Sequence, residues 1–229
     1  MNFKRNCLIV VVITVFWACK TDKKSESTKI EASTKPLNTI EKIANAHGYD
    51  QWQAVDYLTF TFNVDRADNH FQRSWYWEPK TNVVKLFSDT DTIVYNRKQL
   101  DSITAKTDAG FTNDKFWLLM PYQLIWDQNN YDLTESGKST APISGLELNK
   151  LTVVYGADGG YTPGDAYDLY YSDDYILQEW AYRKENQKEP NMITTWEDYE
   201  TINGIKISTS HKMAEGPFEL YFDGLKVAK

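Results

Sequence analysis

Tyr57-Leu58-Thr59-Phe60-Thr61-Phe62-Asn63-Val64 alternates residue by residue between apolar and polar side chains. A period of two places Leu58, Phe60, Phe62 and Val64 on one face of an extended strand, with Tyr57, Thr59, Thr61 and Asn63 on the other. The run His70–Glu78 repeats the pattern, with Phe71, Arg73, Trp75 and Trp77 on one side. Two successive strands, each with one aromatic face, predict an antiparallel sheet covered on one side only.

Working outward, strands are predicted over Asn82–Ser88, Asp91–Tyr95, Tyr131–Thr134, Leu146–Tyr155, Ala166–Tyr171, Ile176–Lys184, Met192–Ile202, Ile205–Lys212 and Phe218–Phe222. Asn203-Gly204 is the chain's strongest short hairpin signal. Ile40, Ile43 and Ala44 at helical spacing, followed by Gly48, predict a short helix over Asn38–His47, and another helical turn over Gln51–Val55. Thr112 or Asn113 caps a further predicted helix, with Asp114 in its first turn and Pro121 ending or kinking it. The expected fold is mainly β (α+β): one curved antiparallel sheet of about eleven strands, with helices against its concave face.

The 229 residues carry 25 Lys+Arg against 32 Asp+Glu, a net charge of −7, which argues against a nucleic-acid partner. Aromatic residues make up 14% of the chain, enough either to line a cavity or to fill a large core.

Lys4 and Arg5 precede the apolar run Cys7–Trp17, the length of a signal-peptide core and too short for a bilayer span. Phe16-Trp17-Ala18-Cys19 resembles the bacterial lipobox, which implies cleavage after Ala18 and acylation of Cys19; the alternative is a signal anchor. The expected organisation is a signal peptide at 1–18, lipidated Cys19 and a flexible, Lys/Ser/Thr/Glu-rich tether at 19–37, and one folded domain at 38–229. The partner is then a membrane, held through Cys19.

Among the three histidines, His47 is expected to cap the first helix, where a positive charge is favoured, and His70 and His211 fall near strand ends. None has metal-ligand spacing, so no metal and no cofactor is expected. The loop Gly156–Asp165, followed by Asp168, Asp173 and Asp174, offers carboxylates to calcium but lacks the EF-hand order, and turn chemistry explains its Gly, Asp and Pro as well. Ser136-Gly137 and Ser144-Gly145 read as a polar connection without nucleophile-elbow context. Glu197 and Asp198, adjacent on a strand, are expected to point to opposite faces.

Several segments resemble the LolA/LolB-like lipoprotein carrier superfamily: Leu58-Thr-Phe60-Thr-Phe62, Arg73-Ser-Trp75-Tyr-Trp77-Glu78-Pro79, Leu86-Phe87-Ser-Asp89, Ile93-Val94-Tyr95 and the hairpin from Trp196 to Ile207. Phe116-Trp117-Leu118-Leu119-Met120-Pro121 is similar to a segment of uncharacterised Gram-negative envelope lipoproteins. The resemblance implies an unclosed half-barrel with a helical lid over an acyl-binding cavity, in a lipid-anchored envelope protein, by expectation of the outer membrane. Leu58, Phe60, Phe62, Trp75, Trp77, Trp117, Leu118 and Met120 are the expected lining. Arg73 is expected either to meet a ligand head group or to pair with Glu78. No catalysis is expected. Two other readings remain open: a glycan-binding or scaffold lipoprotein using exposed Trp and Tyr, and a hydrolase built on His70 or His211 with dispersed acids, which requires those groups within hydrogen-bond reach.

Overall fold

A computed structural model describes residues 36–88 and 91–229. The expected signal peptide, Cys19 and all but the last two residues of the tether lie outside them. Helix α1 (Thr39–Ala46) starts at a capping box: the Asn38 side chain accepts from Glu41 N–H, and the Glu41 carboxylate accepts from Asn38 N–H. It ends at His47 and at Gly48 (φ +90°), which leads into a 3-10 turn at Tyr49–Ala54.

Strands β1 (Tyr57–Arg66) and β2 (Asn69–Glu78) pair antiparallel, with Leu58 opposite Trp77, Phe60 opposite Trp75, Phe62 opposite Arg73 and Val64 opposite Phe71. Both predicted faces therefore fall on the same side of the sheet. Next come β3 (Val83–Phe87), β4 (Thr92–Asn96) and helix α2 (Ser102–Trp126). The remaining strands are β5 (Tyr131–Thr140), β6 (Glu147–Tyr155), β7 (Ala166–Tyr171), β8 (Leu177–Arg183), β9 (Met192–Thr195), β10 (Glu197–Ile202), β11 (Ile205–Lys212) and β12 (Phe218–Ala228). They form two antiparallel ladders, β10-β11-β12-β1-β2-β3-β4 and β5-β6-β7-β8-β9.

The expected strand Met192–Ile202 is divided at Trp196, and there the hydrogen bonding changes partner. β9 pairs with β8, and β10 pairs with β11. Trp196 N–H still donates to Gln178 O (2.7 Å), while Lys212 N–H donates to Thr195 Oγ1 (2.9 Å), so both ladders hold this corner. One bent strand thus joins two sheets into an unclosed half-barrel. Its outermost strands, β4 and β5, have one ladder neighbour each among the described residues. β5 runs beyond Thr134, taking Ser136 and Gly137 into the sheet instead of a connection, with a register shift before Gly137 (φ +71°). Its polar, exposed sequence suits an edge and hides it from an apolar-alternation test. Asp198 (φ +53°) also interrupts alternation, so Glu197 and Asp198 both face Lys212, at 2.8 and 3.9 Å, rather than opposite sides.

Helix α2 lies between the sheets. It begins ten residues earlier than Thr112, at an Asp101 cap whose carboxylate accepts from Ile103 and Thr104 N–H. Asp114 is consequently mid-helix and buried. Leu119 leaves helical geometry (φ −128°, ψ 32°) two residues before Pro121, which has no N–H to continue the ladder. Phe111, Leu118, Leu119 and Tyr122 pack with the seven-stranded sheet, whereas Phe116, Met120 and Leu124 pack with the five-stranded one. Each such side chain contributes about 1.5–3 kcal/mol when fully buried. The first ten residues of α2 are exposed or half-buried except for Asp108 and Phe111, so they offer too few apolar positions for a periodicity to show.

Candidate ligand-binding site

Where β1 reaches its C-terminal half, the two sheets and α2 leave a cleft of about 330 Å³. β1 contributes Phe62, Val64 and Arg66, α2 contributes Asn113, Phe116 and Trp117, and the five-stranded sheet with its β6–β7 loop contributes Tyr161, Tyr167 and Trp180. Phe218 and Leu220 of β12 complete the wall. A second space of about 390 Å³ shares Phe62, Val64, Arg66 and Asn113 and extends to Asn69, His70 and Phe71 at the β1–β2 turn.

The aromatic walls are ordered by mutual contact. Phe116 and Tyr161 stack with centroids 3.6 Å apart and planes 7° apart, and Trp117 meets Trp180 edge-on at 4.5 Å. Tyr161 hydroxyl donates to Asn113 Oδ1 at 3.2 Å, and the Tyr167 hydroxyl bonds Thr162 Oγ1 at 3.0 Å. Burial pushes both phenols above their ordinary range, so they remain neutral. At the rim, the Arg66 guanidinium lies 5.4 Å from the Phe218 ring centroid and has no carboxylate within ion-pair distance among the described residues. The site is a largely aromatic slot with a few neutral polar groups, and among the described residues the cation at its edge, Arg66, has no acid partner.

Of the expected lining residues, Phe62 and Trp117 border this cleft. Leu58, Phe60 and Trp75 are packed into the core with Phe111, while Leu118 and Met120 anchor opposite sides of α2. Their alternation marks the covered face correctly, but the helix fills that face over most of its length. Trp77 faces a separate space at the other end of β1. Tyr161, Tyr167 and Phe218 lie outside the expected lining: Tyr161 sits in a loop without periodicity, and the other two lie on strands whose place beside β1 or α2 only the fold sets.

Arg73 contacts neither a free head-group position nor Glu78. Its Nε and Nη2 donate to the two carboxylate oxygens of Asp114 at 2.5 and 2.6 Å, and Nη2 also donates to Gly110 O. Trp75 Nε1 donates to the same carboxylate at 2.8 Å. Burial pushes the Asp114 carboxyl upward, and the Arg73 fork with the Asn113 and Trp75 donors pulls against that shift. Glu78 instead accepts from Tyr76 and Thr81 hydroxyls, at 2.7 Å each.

The histidines do not converge on a hydrolytic constellation. His70 is exposed and bonds Asp65 at 2.6 Å. His211 is buried with Nδ1 3.1 Å from Thr195 O and no carboxylate partner; desolvation lowers its pKa to about 3. His47 ends α1, but burial lowers it to about 4, so it is neutral there, not the positive cap expected. In and after the Gly156–Asp165 loop, Asp165 accepts from Tyr182 hydroxyl and Glu185 N–H, and Asp168 is engaged by Thr152, Lys150 and Arg183. No group of three or more metal-ligating side chains converges among the described residues.

No protein-family model matches the chain, and no curated protein sequence matches it. Solved structures do. A LolA superfamily protein from Nitrosomonas europaea is 10% identical, with a TM-score of 0.48, over 84% of this chain and 95% of the other. A domain named for outer membrane lipoprotein sorting from Vibrio parahaemolyticus is 12% identical, with a TM-score of 0.49, over 84% and 94%. A DUF1329 family protein from Desulfovibrio piger is 14% identical, with a TM-score of 0.46, over 83% of this chain and 94% of that one.

Proposed function

We propose that this chain is an envelope lipoprotein that binds an apolar ligand, of lipid or acyl-chain type, in the cleft between its sheets, without transforming it. The observation that carries the reading is the cleft itself: about 330 Å³, adjoining a further 390 Å³, walled by aromatic and aliphatic side chains and edged by the unpaired Arg66. Such a slot removes a hydrocarbon chain from water and leaves an anionic head at the rim beside a cation. Lipidation at Cys19 and the 19–37 tether complete the proposal by holding the domain at a membrane. The glycan reading has less to rest on, since the described Trp and Tyr side chains are buried or half-buried rather than projecting from the surface.

Mass spectrometry of organic extracts from the purified protein is expected to find stoichiometric lipid, and a fluorescent fatty acid should bind competitively with it. Val64→Trp, which fills the shared wall, should weaken that binding about ten-fold or more. Arg66→Glu should weaken fatty-acid binding while leaving the matching fatty alcohol unaffected. Absence of extracted lipid together with no binding of the probe overturns the reading.

A further inference from the structure

A second cavity, of about 300 Å³, opens at the other end of β1, away from the lipid cleft. Three indoles form it: Trp52 of the 3-10 turn, Trp77 of β2 and Trp126 at the end of α2, with centroids 5.4 to 6.3 Å apart. Lys115 of α2 lines the same space. Its ammonium lies 4.6 Å from the Trp126 ring centroid and donates to Gln123 Oε1 at 2.7 Å. Lys115 is only 6% exposed, and no carboxylate lies within ion-pair distance of it among the described residues. The other cation at the cavity, Arg97, is already neutralised, its Nε and Nη2 donating to Asp108 at 2.7 and 3.2 Å. The Trp77 indole N–H is buried and makes no hydrogen bond with any described group.

A fully charged ammonium held out of water without an ion-pair partner costs several kcal/mol, which the Gln123 bond and the Trp126 ring face offset only in part. Desolvation lowers this amine to about 7, with repulsion from Arg97 adding to the effect and attraction from Asp127 and Asp108 opposing it. An amine shielded from water and titrating near neutrality, set beside three ring faces, defines a complementary guest: a flat anion, whose charge would favour the protonated amine.

We propose that this cavity binds a small aromatic monocarboxylate, its ring held among Trp52, Trp77 and Trp126 and its carboxylate accepting from Lys115. The volume stands at the lower end of the roughly 300–1,000 Å³ typical of small-molecule sites, which favours a ligand of one or two rings. Cation and π faces in one pocket select for charge and flatness together. The site is independent of the lipid cleft.

Calorimetric titration of the purified protein with 2-naphthoate, 2-naphthalenemethanol and 2-naphthylmethylamine tests this. The acid should bind tightest and the amine weakest. Lys115→Met should cost the acid about ten-fold or more in affinity, the loss of one charge-assisted hydrogen bond, and change the alcohol by no more than about two-fold. Val64→Trp, which fills the other cleft, should leave naphthoate binding unchanged. If Lys115→Met fails to fold, Trp52→Ala at the rim substitutes for it, with weaker binding of acid and alcohol alike expected. Equal affinity for acid, alcohol and amine, no binding of the acid, indifference to Trp52→Ala, or loss of naphthoate binding in Val64→Trp would each overturn the proposal.

Discussion

Asp114 ties α2 to β2 through one carboxylate: it accepts from Arg73 and Trp75 on β2 and from Asn113 beside it on α2, and Arg73 reaches back to the carbonyl of Gly110 on the same helix. The carboxylate is fully enclosed while the Arg73 side chain is 27% exposed, so removing the acid leaves a cation that water can partly solvate. Asp114→Leu is accordingly expected to cost about 2–4 kcal/mol, below the full penalty for breaking a buried pair. Asp114→Asn keeps an acceptor for the Trp75 indole and should cost about 1–2 kcal/mol. Urea unfolding of both variants measures the difference; equal losses would show that the charge contributes nothing beyond the hydrogen bonds. Arg73 stands out in the sequence as the one charge on an aromatic strand face. Its partner does not, because Asp114 is 41 residues away and resembles an ordinary first-turn acid until the helix is known to begin at Ser102. Local acids such as Glu78 compete for attention in the sequence, and only the fold turns Glu78 toward Tyr76 and Thr81.

Short elements with a strong local signal appear where their residues predict: α1 with its cap and glycine stop, β1 with β2 in register, and the Asn203-Gly204 turn, where both residues have positive φ. What the chain does not announce is that two of these elements touch. A side chain at Gly48 would meet Gly204 O at 2.0 Å, and His47 O accepts from Lys206 N–H and from the Tyr122 hydroxyl. The glycine stop therefore serves two purposes: it supplies a left-handed conformation and it lets helix α1 seat on the β10–β11 turn. Gly48→Ala should cost about 3 kcal/mol or more, since backbone meets backbone and neither can yield as a flexible side chain would. Thermal melting checks this, and a loss under about 1 kcal/mol, the value for φ strain alone, would mean that the hairpin moves aside. The elements that escaped sequence reading, the first ten residues of α2 and the outer half of β5, share a cause. Each lacks a one-sided apolar pattern because each is largely exposed and polar, the first with only Asp108 and Phe111 buried and the second as an edge strand.

Across the whole molecule, the corner where the two ladders meet is sealed by neutral imidazoles. His211 on β11 presents Nδ1 to Thr195 O of β9 and packs against Trp117 and Trp196. His47 holds Ile43 O at 2.8 Å and approaches the Tyr199 hydroxyl, which itself donates to Leu177 O of the other sheet. Desolvation depresses both, to about 4 for His47 and about 3 for His211, against 6.5 in the unfolded chain. Between pH 6.5 and about 4 the unfolded state thus takes up protons that the folded state refuses. Stability is full above pH 6.5 and is lost as pH falls toward the folded values. From pH 7 to pH 5 the two sites together should remove on the order of 3 kcal/mol. Exposed His70 shifts the opposite way through its bond to Asp65, and its screened position makes it a minor opponent. Urea midpoints measured across that interval test the account, and His47→Gln should reduce the slope to about half that of the parent, because one of the two buried sites no longer titrates. A flat profile would place proton-accepting water at the corner, whereas a steep one with unaltered slope in the variant would assign the effect to His211 alone. Since the same corner packs behind Trp117 and Trp180, acidification that loosens it should also weaken the binding proposed for the cleft before the chain unfolds. Bound fluorescent fatty acid lost at a higher pH than the secondary structure is the expected signature, and coincident transitions would show that the cleft opens only with global unfolding.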